Sequence, residues 1–195
     1  MNSSPSPAVP VLNIANVLTV VRILLVPFFI WFLLLDDGRA GLFRWLAVAT
    51  FAVAIYTDKL DGDLARSRGL ITDFGKIADP IADKLLIGSA LILLSVLDEL
   101  WWWVTIVILV RELGITLLRF AVIRYGVMPA SRGGKLKTVV QTVAILLFLI
   151  PLQAIAGAWA WWPAAAVMAA AVVITVVTGV DYVVQAIRLR ADARR

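Results

Sequence analysis

Long apolar runs dominate this sequence and restrict its fold more than any other feature. Six runs of about 20 residues alternate with short polar segments, and 62% of the 195 residues are hydrophobic. A helix of about 20 apolar residues crosses the bilayer core, where the backbone must satisfy its own hydrogen bonds. The sequence therefore predicts an all-α, polytopic membrane protein with a single membrane domain.

The apolar runs also set the expected boundaries of the elements. We predict a disordered Ser/Pro-rich tail over residues 1–12, a membrane domain over 13–190 and a basic tail over 191–195. The membrane domain should open with a short interfacial helix over 13–22. The six transmembrane helices are predicted at about 18–35, 41–60, 77–97, 101–123, 138–157 and 162–187.

The distribution of basic residues predicts the orientation. The loops at 36–44 and 97–100 carry two arginines against four acids, whereas a loop at 66–76, a long loop at 124–137 and the segment after Arg188 carry most other basic residues. Cytoplasmic loops are enriched in Lys and Arg. We expect these basic segments to face the cytoplasm from a bacterial plasma membrane. This pattern explains the net charge of +5 better than nucleic-acid binding does.

Four carboxylates interrupt the apolar pattern between the second and third runs. The stretch that holds them has the form D-x2-D-G-x2-A-R-x8-G-x3-D-x3-D. Ionised groups at a span boundary are costly without partners, so they are functional candidates. The residues of this signature are Asp58, Asp61, Gly62, Ala65, Arg66, Gly75, Asp79 and Asp83.

Helical spacing gives the signature a geometry. If the second helix continues through it, Asp58 and Asp61 share one face, with the small residues one turn further on. Asp79 and Asp83 are spaced i,i+4 on the next segment, although Pro80 disfavours helical geometry at the preceding residue and predicts a kinked or capped start. Two such faces opposite each other would form one cage of four carboxylates.

The composition restricts what this cage can hold. The chain has no histidine and no cysteine, which argues against zinc and copper. Carboxylate oxygens suit hard cations such as Mg²⁺, Mn²⁺ or Ca²⁺, and any general base must be a carboxylate or a lysine. Paired metals clamp the attacking and leaving oxygens of a phosphoryl displacement. Arg66 adds a fork of donors suited to phosphate.

The signature, spacing included, resembles that of the CDP-alcohol phosphotransferase family. The resemblance implies a six-helix membrane enzyme, usually a homodimer, that moves a substituted phosphoryl group from a CDP-linked donor to an alcohol and releases CMP. It implies Mg²⁺ or Mn²⁺, two ions per subunit, held by Asp58, Asp61, Asp79 and Asp83, with Asp83 also the general base. It further implies CDP-binding residues, namely Asp58, Asp61, Gly62, Ala65, Arg66 and Gly75.

The first predicted helix carries a second, weaker resemblance. Asn16, Thr19 and Arg22 match an N-x-x-T-x-x-R stretch with which members of the family often open. Arg22 either reaches the acidic site or is an anchor that snorkels to the membrane surface. The sequence alone leaves both interpretations open.

Further cations lie outside the signature. Arg111 and Glu112 fall near the middle of the fourth predicted span, and Arg119 lies on nearly the same face as Glu112. We expect Glu112 and Arg119 to pair. These charges either belong to the functional site or form a structural ion pair that locks helices together. Lys135 and Lys137 follow two glycines, where they provide positive-inside charge or bind phosphate. Arg111, Arg119, Lys135 and Lys137 together predict an anionic acceptor alcohol.

The same regions narrow the resemblance within the family. Residues 101–119 and 130–138 resemble those of phosphatidylglycerophosphate synthases, which implies CDP-diacylglycerol as donor and sn-glycerol 3-phosphate as acceptor. The alternatives are a phosphatidylinositol phosphate synthase or a cardiolipin synthase of the same family. From another class, a divalent-cation transporter remains an alternative, but an ion path would spread its acids along a span rather than cluster them at one end.

Overall fold

The protein is described by a computed structural model that covers residues 13–70, 72–123 and 132–192. Within these ranges all regular secondary structure is helical, which confirms the predicted all-α class. The helices are α1 (Ile14–Asp36), α2 (Leu42–Arg68), α3 (Asp73–Val96), α4 (Trp102–Val122), α5 (Arg132–Leu149), α6 (Leu152–Ala156) and α7 (Trp161–Asp192). A short 3-10 turn, Ala158–Ala160, precedes α7.

Two helical segments in the described part of the chain are long and apolar enough to cross a membrane. They are α1 and the continuous segment Ala158–Ala191, which joins the 3-10 turn to α7. The helices between them carry the charged residues discussed below, which reduces their apolar character. The two apolar helices fit a membrane protein, whereas the predicted count of six spans is not confirmed.

The N-terminal part of the domain differs from the prediction. A single helix, α1, runs from Ile14 to Asp36 without the break expected between an interfacial helix and a span. Asn13 caps α1 because its side chain accepts a hydrogen bond from the backbone N–H of Asn16 at 3.0 Å. The predicted tail at 1–12 lies outside the described residues, and α7 continues to Asp192, into the tail predicted at 191–195.

Helix α2 continues through the first half of the signature, as the helical interpretation of its spacing predicted. It ends at Arg68, and Gly69 adopts the left-handed conformation (φ 64°) that closes a helix, with its N–H bonded to the carbonyl of Ala65. Because α3 begins at Asp73, the connection is far shorter than the loop predicted at 66–76. Pro80 lies inside α3 and does not end it.

The second half of the chain also departs from the predicted boundaries. Helix α5 begins at Arg132, so Lys135 and Lys137 are helical rather than part of a loop at 124–137. The remainder of that predicted loop, 124–131, lies outside the described residues. The predicted fifth span is interrupted at Pro151, which cannot continue α5 and instead caps α6.

The chain forms two compact units by its internal contacts. The first comprises α1, α2 and α3 up to Ser89, and the second comprises the rest of α3 with α4 to α7. In the first unit α1 and α2 pack side by side, and the buried rings of Phe29 and Phe51 lie 5.6 Å apart. In the second unit α7 packs against α4 and α5. The signature therefore lies in the first unit, and the additional cations lie in the second.

Candidate active site

One face of α1 carries three polar side chains in an otherwise apolar helix. Asn16, Thr19 and Arg22 are spaced three residues apart and are 5%, 1% and 0% exposed. Buried polar groups require hydrogen-bond or ionic partners. Their partners lie on α2 and at the start of α3, so α1 is part of the candidate site rather than a simple membrane anchor.

The guanidinium of Arg22 lies between the first two acids of the signature. Its Nη1 is 2.5 Å from Oδ1 of Asp58, and its Nη2 donates to Oδ2 of Asp61. The Asp58 side chain is 46% exposed, whereas that of Asp61 is only 4% exposed. Since a buried carboxylate requires a counter-charge, Arg22 belongs to the acidic site, and the snorkelling alternative is wrong.

Thr19 connects the acids of α2 with those of α3. Its hydroxyl donates to Oδ1 of Asp79 at 2.6 Å and lies 3.4 Å from Oδ2 of Asp61. One hydroxyl oxygen is therefore within hydrogen-bonding distance of carboxylates from both halves of the signature. The fold brings these two acids together although they lie 18 positions apart in the sequence.

Asn16 holds the start of α3 against α1. Its amide nitrogen donates to the hydroxyl oxygen of Thr72 at 2.8 Å, and its oxygen lies 3.0 Å from the same hydroxyl. Thr72 also accepts a hydrogen bond from the backbone N–H of Gly75. A Cβ added at Gly75 would lie 3.0 Å from the Asn16 oxygen, so this signature glycine permits the close approach of the two helices.

The predicted cage is visible only in part. Asp58, Asp61 and Asp79 are linked pairwise through α1, and Asp83 is half-buried one turn further along α3. Among the described side chains, however, no three carboxylates are grouped as ligands of a single ion. The donor atoms are carboxylate and hydroxyl oxygens, which is the set that hard divalent cations require. Gly62 is half-buried beside the acids.

The two other signature residues of α2, Ala65 and Arg66, lie near the end of that helix. Ala65 is half-buried near the end of α2 and accepts the capping hydrogen bond described above. The side chain of Arg66 lies outside the described part of the chain. Their predicted contributions to CDP binding therefore stay predictions.

A second charged cluster lies in the second unit, among α4, α5 and α7. Oε1 of Glu112 accepts hydrogen bonds from Nζ of Lys137 at 2.5 Å and from Nη1 of Arg111 at 3.0 Å. The other terminal nitrogen of Arg111 donates to the Thr178 hydroxyl at 2.9 Å. The side chains of Lys137 and Arg111 are only 6% and 12% exposed. Sequence reasoning did not find Thr178, which appears as an ordinary residue of an apolar helix.

Tyr182 organises the two arginines of this cluster and was also missed. It is 2% exposed, its hydroxyl accepts a hydrogen bond from Arg119 at 3.0 Å, and the guanidinium carbons of Arg119 and Arg111 lie 5.0 and 5.6 Å from its ring centre. Both distances fall in the range of cation–π attraction. The pairing of Glu112 with Arg119 that the sequence predicted is therefore not observed. The carboxylate of Glu112 instead accepts from Arg111 and from Lys137 of the neighbouring helix α5.

The structure brings together three of the four cations predicted for the acceptor. Lys135 is exposed on α5, whereas Lys137 is buried, since residues two apart point about 200° apart around a helix. Gly179 leaves room for the arginine stem, because a Cβ added there would lie 3.2 Å from Cγ of Arg111. The contribution of Lys135 stays a prediction.

Comparison with known sequences identifies the class of protein. The chain belongs to the CDP-alcohol phosphatidyltransferase family, which it matches over residues 12–182. The resemblance expected from the signature is thereby confirmed.

Individual relatives narrow the class further. The chain is 56% identical over 176 residues to "Probable phosphatidylglycerophosphate synthase" of Mycobacterium tuberculosis (strain ATCC 25618 / H37Rv), covering 90% of this chain and 82% of that protein. It is 35% identical over 186 residues to "CDP-diacylglycerol--glycerol-3-phosphate 3-phosphatidyltransferase" of Bacillus subtilis (strain 168), covering 87% and 93%. A protein of the same name from Rickettsia typhi is 38% identical over 140 residues, covering 71% and 76%.

Proposed function

We propose that this protein transfers the phosphatidyl group of CDP-diacylglycerol to sn-glycerol 3-phosphate, giving phosphatidylglycerophosphate and CMP. Relatives at 56% and 35% identity carry the names of this activity and are matched over most of their length. The structural observation that supports the proposal most is the convergence of Asp58, Asp61 and Asp79 on Arg22 and Thr19.

The four signature acids are proposed to hold two divalent ions, Mg²⁺ or Mn²⁺. Their oxygen-only donor set and the absence of histidine and cysteine from the chain support this assignment. When bound, such ions offset the negative charge of the diphosphate and of the departing CMP. The proposed ligands are Asp58, Asp61, Asp79 and Asp83.

The donor is proposed to bind to the first unit. Gly62 and Ala65 put little side-chain bulk beside the acids of α2, and an arginine fork matches the geometry of a phosphate. Arg22 pairs with the carboxylate of Asp61 and holds it in place. The proposed CDP-binding residues are Asp58, Asp61, Gly62, Ala65, Arg66 and Gly75.

The phosphate of the acceptor is proposed to bind to the cations of the second unit. Among its described residues the cluster of α4, α5 and α7 contains three cations and one carboxylate, so it carries an excess of positive charge. A dianionic acceptor supplies the missing negative charge. The proposed contacts are Arg111, Arg119 and Lys137, with Lys135 at the exposed start of α5.

The chemical step follows from these assignments. The oxygen of the glycerol 1-hydroxyl attacks the phosphorus that bears the diacylglycerol, and the bond from that phosphorus to the CMP oxygen breaks. Asp83 is proposed, from its place in the family signature, to take the proton of the attacking hydroxyl. This agrees with a chain that has no histidine, in which the base must be a carboxylate or a lysine. The phosphatidyl group is thereby transferred without a covalent enzyme intermediate.

We further propose that the protein functions as a homodimer with six spans, over 13–190, in a bacterial plasma membrane. The two long apolar segments support membrane insertion. The loops at 36–44 and 97–100, in which four acids outnumber two arginines, support an orientation that places the signature at the cytoplasmic face.

A comparison of acceptors tests the proposed function. Purified protein in detergent is given CDP-diacylglycerol with glycerol 3-phosphate, inositol 1-phosphate or phosphatidylglycerol, with and without a chelator, and the lipid product is identified by mass spectrometry. We expect phosphatidylglycerophosphate and CMP only with glycerol 3-phosphate and free metal. Preferential conversion of inositol 1-phosphate would contradict the proposal, and Mn²⁺ flux into liposomes without CMP release would favour a transporter. The Asp181→Asn variant, which alters an exposed acid, is the activity control.

A further inference from the structure

Glu112 uses only one of its two carboxylate oxygens within the cation cluster of the second unit. Oε1 accepts from both Lys137 and Arg111. Oε2 accepts no hydrogen bond from any residue that the structure describes, and the side chain is 21% exposed. One oxygen of a partly accessible carboxylate thus stays available to a ligand.

Oε1 of Glu112 lets two cations lie close to each other. Lys137 and Arg111 are like charges that both approach the same atom within 3.0 Å in a largely buried position. Without the carboxylate they would repel each other, because charge interactions are strong where water is scarce. Glu112 therefore sets the separation of the two cations that are proposed to bind the acceptor phosphate.

The neighbouring residues of α7 keep this arrangement rigid. The guanidinium of Arg111 is bonded to Thr178 and lies over the ring of Tyr182, and Gly179 packs against its stem. Because Arg111 has little room to move, the carboxylate bonded to it also has a defined orientation. The hydrogen bonds of Oε1 therefore place Oε2 beside the two cations.

The unused oxygen restricts the kind of ligand that can bind here. A phosphate oxygen next to Oε2 would be repelled by it, whereas a hydroxyl beside the phosphate would donate to it. The two carboxylate oxygens share one carbon, so the atoms adjacent to a phosphate held by Lys137 and Arg111 come within reach of Oε2. The site therefore favours a phosphate ester with a hydroxyl on the neighbouring carbon.

We propose that Glu112 is a specificity-determining residue for the acceptor, with Oε1 positioning Lys137 and Arg111 and Oε2 accepting a hydrogen bond from the acceptor hydroxyl that does not react. This inference rests on the proposed function, in which that hydroxyl is on C2 of glycerol 3-phosphate. Glu112 thereby distinguishes a polyol phosphate from a simple alkyl phosphate of the same charge.

The test compares two acceptors that differ in one hydroxyl. 3-Hydroxypropyl phosphate keeps the phosphate and the primary hydroxyl of glycerol 3-phosphate and lacks only the C2 hydroxyl. For the unmodified protein we expect kcat/KM with glycerol 3-phosphate to be about tenfold to a hundredfold higher, as a hydrogen bond to a charged group implies. In Glu112→Ala the ratio should fall close to one, and in Glu112→Gln to a few-fold.

The control is Glu99→Gln, which changes the one other glutamate of the chain and should keep the original ratio. The KM for CDP-diacylglycerol should stay unchanged in the Glu112 variants. If Glu112 were purely structural, the KM values for the donor and for the acceptor would rise together, and that result would overturn the inference. A ratio is independent of the folded fraction, so Glu112→Gln decides the question if the alanine variant does not fold.

Three results distinguish a failure of the role of Glu112 from a failure of the proposed function. Equal use of both acceptors by the unmodified protein, or an undiminished preference in both Glu112 variants, would overturn the role of Glu112 alone. No phosphatidylglycerophosphate from the unmodified protein with glycerol 3-phosphate would instead refute the proposed function, and with it this inference.

Discussion

Replacing Arg22 by methionine should destabilise the fold of the first unit strongly. Methionine keeps an unbranched apolar stem in the position of the arginine but removes the guanidinium that pairs with Asp58 and Asp61. The substitution leaves the nearly buried Asp61 without its counter-charge. Arg22 is the largest side chain that is fully buried among the described residues, so no solvent replaces the lost contact.

The exposure of the two carboxylates sets the size of the effect. Removing one partner of a buried ion pair costs about 3–5 kcal/mol. The half-exposed Asp58 contributes less than about 1 kcal/mol, since water and salt screen such pairs. Most of the loss, about 3 kcal/mol, therefore comes from Asp61. For a chain of this size we expect the melting temperature to fall by roughly 10 °C.

Thermal unfolding in detergent measures this change, followed by the fluorescence of the eight tryptophans. Thiol-reactive dyes are no alternative, because the chain has no cysteine. The control Arg68→Met removes an exposed arginine at the end of α2 and should shift stability by no more than about 0.5 kcal/mol. Adding Asp61→Asn to Arg22→Met should restore most of the lost stability, since the orphaned charge is then gone.

Two outcomes would refute this account of Arg22. A melting temperature within about 2 °C of the unmodified protein would mean that the ion pairs contribute almost nothing. A double variant less stable than Arg22→Met alone would mean that Asp61 is not the group left uncompensated.

Three further predictions follow from the two clusters. Asp83→Asn should abolish turnover, measured as CMP release, while binding of CDP-diacylglycerol measured by equilibrium dialysis stays largely intact, because the proposed base is lost but three of the four proposed metal ligands remain; sustained turnover would contradict that role. Gly179→Ala adds a methyl group 3.2 Å from the stem of Arg111 and should raise the KM for glycerol 3-phosphate several-fold without changing that for the donor. Lys137→Met should raise the same KM at least tenfold, and more than Lys135→Met does, since Lys137 is buried beside Glu112; an equal effect of both lysines would argue against this arrangement.

The sequence predicted the elements whose signals are local. Helical spacing placed Asp58 and Asp61 on one face, and α2 does continue through them as a helix. The all-α class and the family followed from apolar runs and from a signature with fixed intervals. Pro80 favoured a capped or kinked start at Asp79, but α3 begins at Asp73 and contains the proline.

The features that the sequence left open depend on packing between distant segments. The position of Arg22 could be interpreted in two ways until α1 was seen to lie against the signature acids. Tyr182 and Thr178 have no distinguishing spacing, because their roles come from arginines about 65 residues earlier in the chain. Glu112 was expected to pair with Arg119 of its own helix, but it bonds to the adjacent Arg111 and to Lys137 of α5 instead.

The polar face of α1 has a practical consequence for engineering this protein. An apolar N-terminal helix is commonly treated as an interchangeable membrane anchor and exchanged for another of similar length. Here a foreign anchor of matching hydropathy would still insert, yet the acids of α2 and α3 would lose the hydroxyl and the guanidinium that face them. Chimeras that keep Asn16, Thr19 and Arg22 on the transplanted helix should retain the site.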